Sequence, residues 1–517
     1  MNSTDPDAVE TAGPAKNFRV PLYLLVNVAF ALAAAWGSAT VDAPTGRVVY
    51  LILLFALCSV PIGLMRGFND RYFLLGVFMA TYFMYFGMLD FQALLMGGHF
   101  SSDESSLTAA EYGVILGAIS VVAGCLIAAS RSRTARGANP AKEWSRGTIL
   151  FSGLLFYISG VSAYAYYHLV AVTTNSNLAT ARALDELGPI MTFVVMLGHL
   201  ILPLGILILA YGYAKFRTSS WFALILVILV IQLLLGFLGD SKSVPLEAAV
   251  LVILARTVID DRPPIGWLLL GTAVTLFAFP IFQAYRMEVV GERGLNRAQA
   301  VQNLGKVLEI AFASRNKVTQ GPEEGRAQTL VERASIKGNL EVLFAHAGVD
   351  SPFLYGATLP ELAYSFIPRF IWPGKPSVEV GELFNKAFIS GDSDSYVSPS
   401  HLGELYWNFG WPGIVVGMFV IGTILGFVGV RSSLADHKSA TRLLVLLATV
   451  EGACIGFQGS IAIPYVVWLR SLAAIGILHM LFSRPQQDAA VGPRKAEERR
   501  ASSMEPSAGA KYPTVIL

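Results

Sequence analysis

The sequence predicts an all-α polytopic membrane protein of about twelve transmembrane helices, with a large, partly helical loop between the ninth and tenth. Three observations carry that expectation. The 517 residues are 54% hydrophobic and only 14% charged, where a soluble domain carries about 25% charged residues. Apolar runs close to the roughly 20 residues needed to span a bilayer recur along the chain. Basic residues fall mainly in alternate connections, as the enrichment of Lys and Arg in cytoplasmic loops requires. The mean hydropathy of +0.56 agrees, and a net charge of +2 gives no footprint for nucleic acid.

In chain order, residues 1–19 read as a disordered cytoplasmic tail, rich in small and polar residues with no apolar period. Nine spans are expected near 20–38, 47–65, 72–97, 109–130, 147–172, 188–214, 219–238, 244–259 and 264–284. A loop domain covers 285–410, and three further spans lie near 411–430, 443–459 and 461–482. Residues 484–517 read as a second disordered cytoplasmic tail. With the N-terminus inside, the inside segments hold 22 of the 38 basic residues, while the short outside loops hold Arg47, Arg182 and Lys242. The 285–410 loop then lies outside the cell membrane. Twelve spans with both ends inside also describes many transporters. Here, however, the link near Phe216–Ser219 is short, the insertion falls late, and no internal repeat is visible.

The three cysteines, Cys58, Cys125 and Cys454, sit in apolar runs, so the loop has neither a disulfide nor a cysteine metal site. The first half of the loop reads as helical. Val301, Leu304, Val307, Leu308 and Ala311 have helical spacing, as do Ile336, Leu340, Leu343, Phe344 and Ala347, with Gly321-Pro322 between the two stretches. Arg326, Arg333 and Lys337 are spaced to share one helix face, and Arg286, Arg293 and Arg297 repeat the spacing. A basic stripe of this kind suits an anionic headgroup such as a diphosphate; it equally suits a solvated face paired with Glu332 and Glu341.

The second half is aromatic. Residues 353–411 hold thirteen aromatics, about twice the density of the whole chain. Tyr355, Trp372, Tyr406 and Trp407 are candidates to stack on sugar faces, or to anchor the segment at the membrane interface. Pro368, Pro373 and Pro376 keep Arg369 and Lys375 on a stiff, non-helical ribbon. The run Phe366-Ile367-Pro368-Arg369-Phe370-Ile371-Trp372-Pro373-Gly374-Lys375-Pro376 is followed by Ser400-His401-Leu402-Gly403-Glu404-Leu405-Tyr406-Trp407-Asn408-Phe409-Gly410-Trp411-Pro412-Gly413. Together they resemble the oligosaccharide repeat-unit polymerases of bacterial surface polysaccharides, the Wzy or O-antigen polymerase type. The span count and large outer loop fit the same resemblance. The chain departs from an Arg-ten residues-Gly pattern described in some members: Arg293 to Gly305 and Arg326 to Gly338 each enclose eleven residues.

The resemblance implies a lipid-linked glycosyltransferase that joins polyprenyl-diphosphate-linked oligosaccharide units, with no cofactor. Possible protein partners are a chain-length regulator and a flippase. Such chemistry needs cations for the departing diphosphate, a base for the acceptor hydroxyl and a platform for the sugars. Arg369, Lys375, His401 and Glu404 are the catalytic candidates. Arg286, Arg293, Arg326, Arg333 and Lys337 are the candidates for diphosphate. A glycan ligase and a lipid-linked-glycan transporter or flippase are the alternatives. No metal site is expected: His346 and Asp350 have helix-face spacing but no third ligand, and Gly391–Ser395 reads as a turn. Within the last two spans, Glu451 and Arg470 fall at similar depth and are expected to form an ion pair, since intramembrane charges are usually paired.

Overall fold

The computed structural model describes residues 19–41, 43–96, 108–131, 144–168, 189–238, 243–284, 335–365, 397–433 and 439–482, with shorter pieces between 367 and 389 and residues 305, 309 and 313. Among the described residues every regular element is helical, and the only β contact is an isolated bridge between Ala347 and Ser351. Among the described residues, eight helices are long and apolar enough to cross a membrane. A ninth crossing is made if Phe73–Phe86 and Met88–Met96, bent by 55° at Gly87, count as one. The protein is therefore an all-α, multi-pass membrane protein.

The helices are α1 (Arg19–Val41), α2 (Thr45–Cys58, carried on by Val60–Leu64), α3 (Phe73–Phe86), α4 (Met88–Met96), α5 (Ala109–Arg131) and α6 (Arg146–Tyr166). They continue as α7 (Pro189–Phe216), α8 (Ser219–Leu238), α9 (Ser243–Asp260) and α10 (Ile265–Ala284). After these come α11 (Lys337–His346), α12 (Ser400–Ser432), α13 (Ala440–Thr449) and α14 (Ala462–Phe482).

Two helix pairs pack most extensively, α5 with α12 and α6 with α7. Small residues make both possible. A Cβ on Gly124 of α5 would lie 2.2 Å from the Phe419 carbonyl oxygen, and one on Gly422 of α12 would lie 2.1 Å from that of Val121. Only glycine lets two membrane helices approach this closely, and such approach drives association where lipid removes the hydrophobic incentive. The succession of contacts along the pair shows that α5 and α12 run parallel.

The sequence places the start of the tenth span at 411, and the membrane-length limb of α12 does begin there; a shorter helical limb from Ser400 precedes it across a kink at Gly410, whose φ of 64° and ψ of −149° suit glycine alone. The kink is a reversal. A Cβ on Gly413 would lie 2.2 Å from the Leu405 carbonyl oxygen, although in a straight helix these residues stand roughly 12 Å apart along the axis. Leu402 and Met418 both reach Gly117 of α5, where a straight helix would separate them by about 24 Å. Residues 400–409 thus double back beside the membrane-length limb. Pattern alone hid this, because both limbs are apolar and Gly410-Trp411-Pro412 reads as an ordinary span entrance.

α13 does not run straight into α14. It loosens into a π turn at Val450–Ile455 and a 3₁₀ turn at Gly456–Gln458, then turns through Gly459 and Ser460. Of the helix expected over 328–347, residues 337–346 form α11, burying Leu340, Leu343 and Phe344 as the spacing predicted. The expected helix near 296–314 lies outside the described residues, apart from 305, 309 and 313.

Candidate functional site

Two buried polar clusters tie the loop segments to the spans. The first lies where α11 meets α2, α4 and α5. Lys337, at the first turn of α11, is 3% exposed. Its ammonium pairs with Asp90, donates to Glu111 at 2.8 Å, and rests 4.7 Å from the Tyr50 ring centroid. Arg47 pairs with Glu111 and lies 3.7 Å from Glu341. A cation at a helix N-terminus opposes the helix dipole, so the carboxylates of α4 and α5 hold Lys337 there. Glu111 is held in turn by a reciprocal cap: its carboxylate accepts from the Thr108 amide at 2.9 Å, and the Thr108 hydroxyl accepts from the Glu111 amide at 3.3 Å. The expected basic stripe is corrected at this member. Lys337 is spent on protein carboxylates and offers no charge to a diphosphate. Arg286, Arg293, Arg326 and Arg333 lie outside the described residues.

The second cluster is built on the doubled-back limb of α12. His401, Glu404 and Asn408 are spaced to share one helix face, and all three are fully buried. Glu404 accepts from the Thr358 hydroxyl at 2.7 Å with one oxygen and from the Ile461 amide at 2.7 Å with the other. The second bond sets a carboxylate at the N-terminus of α14, where the helix dipole favours it. Asn408 donates to Thr358 at 2.9 Å and accepts from the Gly356 amide at 2.9 Å. The Asn408 and Trp407 carbonyls accept from the Tyr355 and Leu354 amides at 3.0 and 2.9 Å. Loop 354–358 is therefore sewn along α12. His401 Nε2 lies 3.1 Å from the Ser460 carbonyl oxygen. A carbonyl only accepts, so Nε2 carries a proton, and full burial with no carboxylate among the described residues against the ring favours the neutral form, in which Nδ1 keeps its lone pair.

Comparison of the chain with family models, with curated proteins and with solved structures finds no match.

The expected site residues separate into enclosed and open groups. Tyr406 and Trp407 are buried. Tyr406 stacks on Phe344 at 3.7 Å, and Trp407 packs against Phe388 and Phe384. Their expected sugar-stacking role is corrected to core packing, because doubling back turns them into the protein. Tyr355 is 80% exposed and Trp372 40% exposed, so both remain open aromatic faces. Tyr355 holds a left-handed φ of 48°, a conformation costly for a residue with a Cβ and often retained at functional sites. Lys375 donates to the Ile367 carbonyl at 3.1 Å, and Arg369 lies outside the described residues.

The expected Glu451–Arg470 ion pair is replaced by two other pairings. Arg470 donates to the Ser365 carbonyl, binding α14 to the loop just before Phe366. Glu451 instead lies beside Glu247 of α9. Glu451 stands in the π turn at 450–455, a break that depth counting on a regular helix does not foresee. His346 and Asp350 do meet, at 2.7 Å on the surface. Among the described residues no group of three metal-ligating side chains forms.

Sequence reading missed Glu111, Thr358, Asn408 and Ser460. Thr108-x-x-Glu111 before an apolar run is a capping-box signal that marks Glu111. Asn408 has its place on the His401 and Glu404 face. Nothing local marks Thr358 or Ser460, which come into place through long-range contacts alone.

Proposed function

We propose that the protein polymerises polyprenyl-diphosphate-linked oligosaccharide repeat units into a surface polysaccharide, at the periplasmic face of a bacterial inner membrane. In this reading the chain has about twelve spans, both termini cytoplasmic, and the 285–410 loop outside. One observation carries it. Both sequence runs that resemble the polymerases are tied to α14: Arg470 donates to the Ser365 carbonyl just before the first run, and the Ile461 amide donates to Glu404 in the second. Tyr355, an open aromatic, adjoins the enclosed polar cradle through its amide bond to the Asn408 carbonyl, and Trp372 and Lys375 lie on the segment that follows Ser365.

The reaction breaks the bond between the anomeric carbon of the growing chain and its diphosphate oxygen. An acceptor hydroxyl on the next unit forms the new glycosidic bond. The lipid diphosphate leaves with the bonding pair, and the hydroxyl proton passes to a base. Lys375 and Arg369 are assigned to the diphosphate charge, and Tyr355 and Trp372 to the sugars. His401, with its Nδ1 lone pair, is the base. Glu404 is a positioning residue, since both its oxygens are engaged. His401 is enclosed against Phe457, Ser460 and Tyr465, so turnover requires the break between α13 and α14 to move away from it.

The Glu247–Glu451 pair favours a second reading, a transporter or flippase of a lipid-linked glycan, because intramembrane carboxyls often serve proton-linked transport. A ligase using the same donor is the close enzymatic variant. Surface glycan from a deletion strain separates them on a gel. Single repeat units in place of long chains support the polymerase. Complete loss of surface glycan supports export, and long chains left unattached support a ligase.

A further inference from the structure

The loop after Gly356 is pinned to α14 at two points, the second further along the helix than the first. Thr358 donates to Glu404, whose other oxygen holds the Ile461 amide, so this end of the loop stands level with the start of α14. Further on, the Ser365 carbonyl accepts from Arg470, which lies about 13 Å beyond Ile461 along the helix axis. Helical side chains lean back toward the N-terminus, and an arginine so directed recovers only about half of that distance. The helical turn Glu361–Tyr364 packs on α14 between the two points. α14 is 21 residues long, roughly 31 Å, and a bilayer core is about 30 Å thick. The helix needs its whole length to cross, so a segment that descends beside its first turns descends into the hydrocarbon.

We infer that residues 359–365, with Ile367 and Ile371, form a re-entrant wedge beside α14, inserted into the leaflet that α14 enters, with the two isoleucines against lipid acyl chains. The side chains suit that partner. Ile371 is 64% exposed and Ile367 37%, and Ile463 and Leu469 on the adjoining part of α14 are open as well. The backbone suits it too. The amides of Leu359, Leu362, Ala363, Tyr364, Ser365 and Ile367 all donate to carbonyls three or four residues back, and Pro360 has no amide to satisfy. A bilayer admits only backbone whose polar groups are satisfied within the segment or by neighbouring protein. Arg470 gives the reason for the descent: an arginine inside a span needs a partner, and the Ser365 carbonyl supplies one. The chain is then closed on itself, since the Tyr364 and Trp372 rings meet at 6.2 Å and Lys375 donates to the Ile367 carbonyl at 3.1 Å. The wedge stands whether the protein polymerises, ligates or transports.

The test is spin-label accessibility in the full-length protein, reconstituted in phosphatidylcholine nanodiscs. A nitroxide is placed at Ile371→Cys, and relaxation by oxygen, which concentrates in hydrocarbon, is compared with relaxation by a water-soluble nickel chelate. Ile477→Cys, on an exposed position deeper in α14, is the lipid reference. The signal of the unsubstituted protein, which carries three cysteines, is subtracted. The expected result is that oxygen relaxes the Ile371 label more than the nickel chelate does, as at Ile477. Stronger relaxation by the chelate puts the segment in water and overturns the wedge. Weak relaxation by both reagents puts the label under protein and overturns it as well. Should Ile371→Cys fail to insert, Ile367→Cys is read by the same criterion.

Discussion

At the scale of single residues, the cradle separates side chains that hold from side chains that act. Glu404 bridges a loop hydroxyl and the start of α14 with both oxygens, whereas His401 spends one nitrogen on Ser460 and keeps the other. Under the proposed reaction, His401→Gln should lower chain extension by about 10²-fold or more, the usual contribution of a general base. The check is an extension assay on protein shown to insert normally; near wild-type chain length in that variant would remove His401 from the chemistry. Tyr355 predicts a different split. It is open to solvent, and a substitution away from core features usually changes stability by no more than about 0.5 kcal/mol. Tyr355→Ala should leave thermal unfolding unchanged while raising the KM for the lipid-linked unit. Much of this was legible in the sequence: His401, Glu404, Tyr355 and Trp372 stand out by type in one aromatic stretch. Their division into buried and open was not legible, because Tyr406 and Trp407 look the same in a string as Tyr355 and Trp372. Burial is decided by which way α12 folds back.

At the scale of elements, α11 is docked by charges taken out of water. Breaking a buried pair by removing one partner costs roughly 3–5 kcal/mol, since the other charge remains buried. Lys337→Ala should therefore destabilise the protein by about that amount, measured as a fall in unfolding temperature in detergent. An unchanged temperature would mean that the cluster is hydrated rather than enclosed. α12 gives a second expectation at this scale. Gly410 turns the chain through a conformation that costs other residues about 1–3 kcal/mol, so Gly410→Ala should destabilise and loosen the doubled-back limb, seen as faster amide exchange over 400–409. The apolar period of α11 over Leu340, Leu343 and Phe344 was readable, being a local property. The partners of Lys337 were not, because Asp90 and Glu111 lie 247 and 226 residues away in sequence.

At the scale of the whole molecule, the bundle places ionisable groups inside spans and the loop segments against one end of them. Glu247 and Glu451 are two like-charged groups side by side, so Glu451→Gln, which removes one of them at the same size, should preserve the unfolding temperature. Glu451→Arg should lower that temperature, since Arg470 is already bound to Ser365. Orientation has its own test. Val349, 83% exposed at the loop end of α11, should accept an impermeant thiol reagent in intact cells as Val349→Cys. Arg66, exposed in the connection between α2 and α3, should not react as Arg66→Cys. The reverse pattern would invert the proposed topology. The sequence by itself determined the all-helical membrane class, the main spans and the stretch holding the candidate residues, because hydropathy, helix period and aromatic density are properties of short segments. Only the tertiary structure decided that α12 reverses at Gly410, that Lys337 is spent on Asp90 and Glu111, and that His401 meets Ser460 and Tyr465. Those outcomes rest on contacts between residues far apart in the chain, where close backbone approach at glycines and the need to satisfy buried charge select one packing.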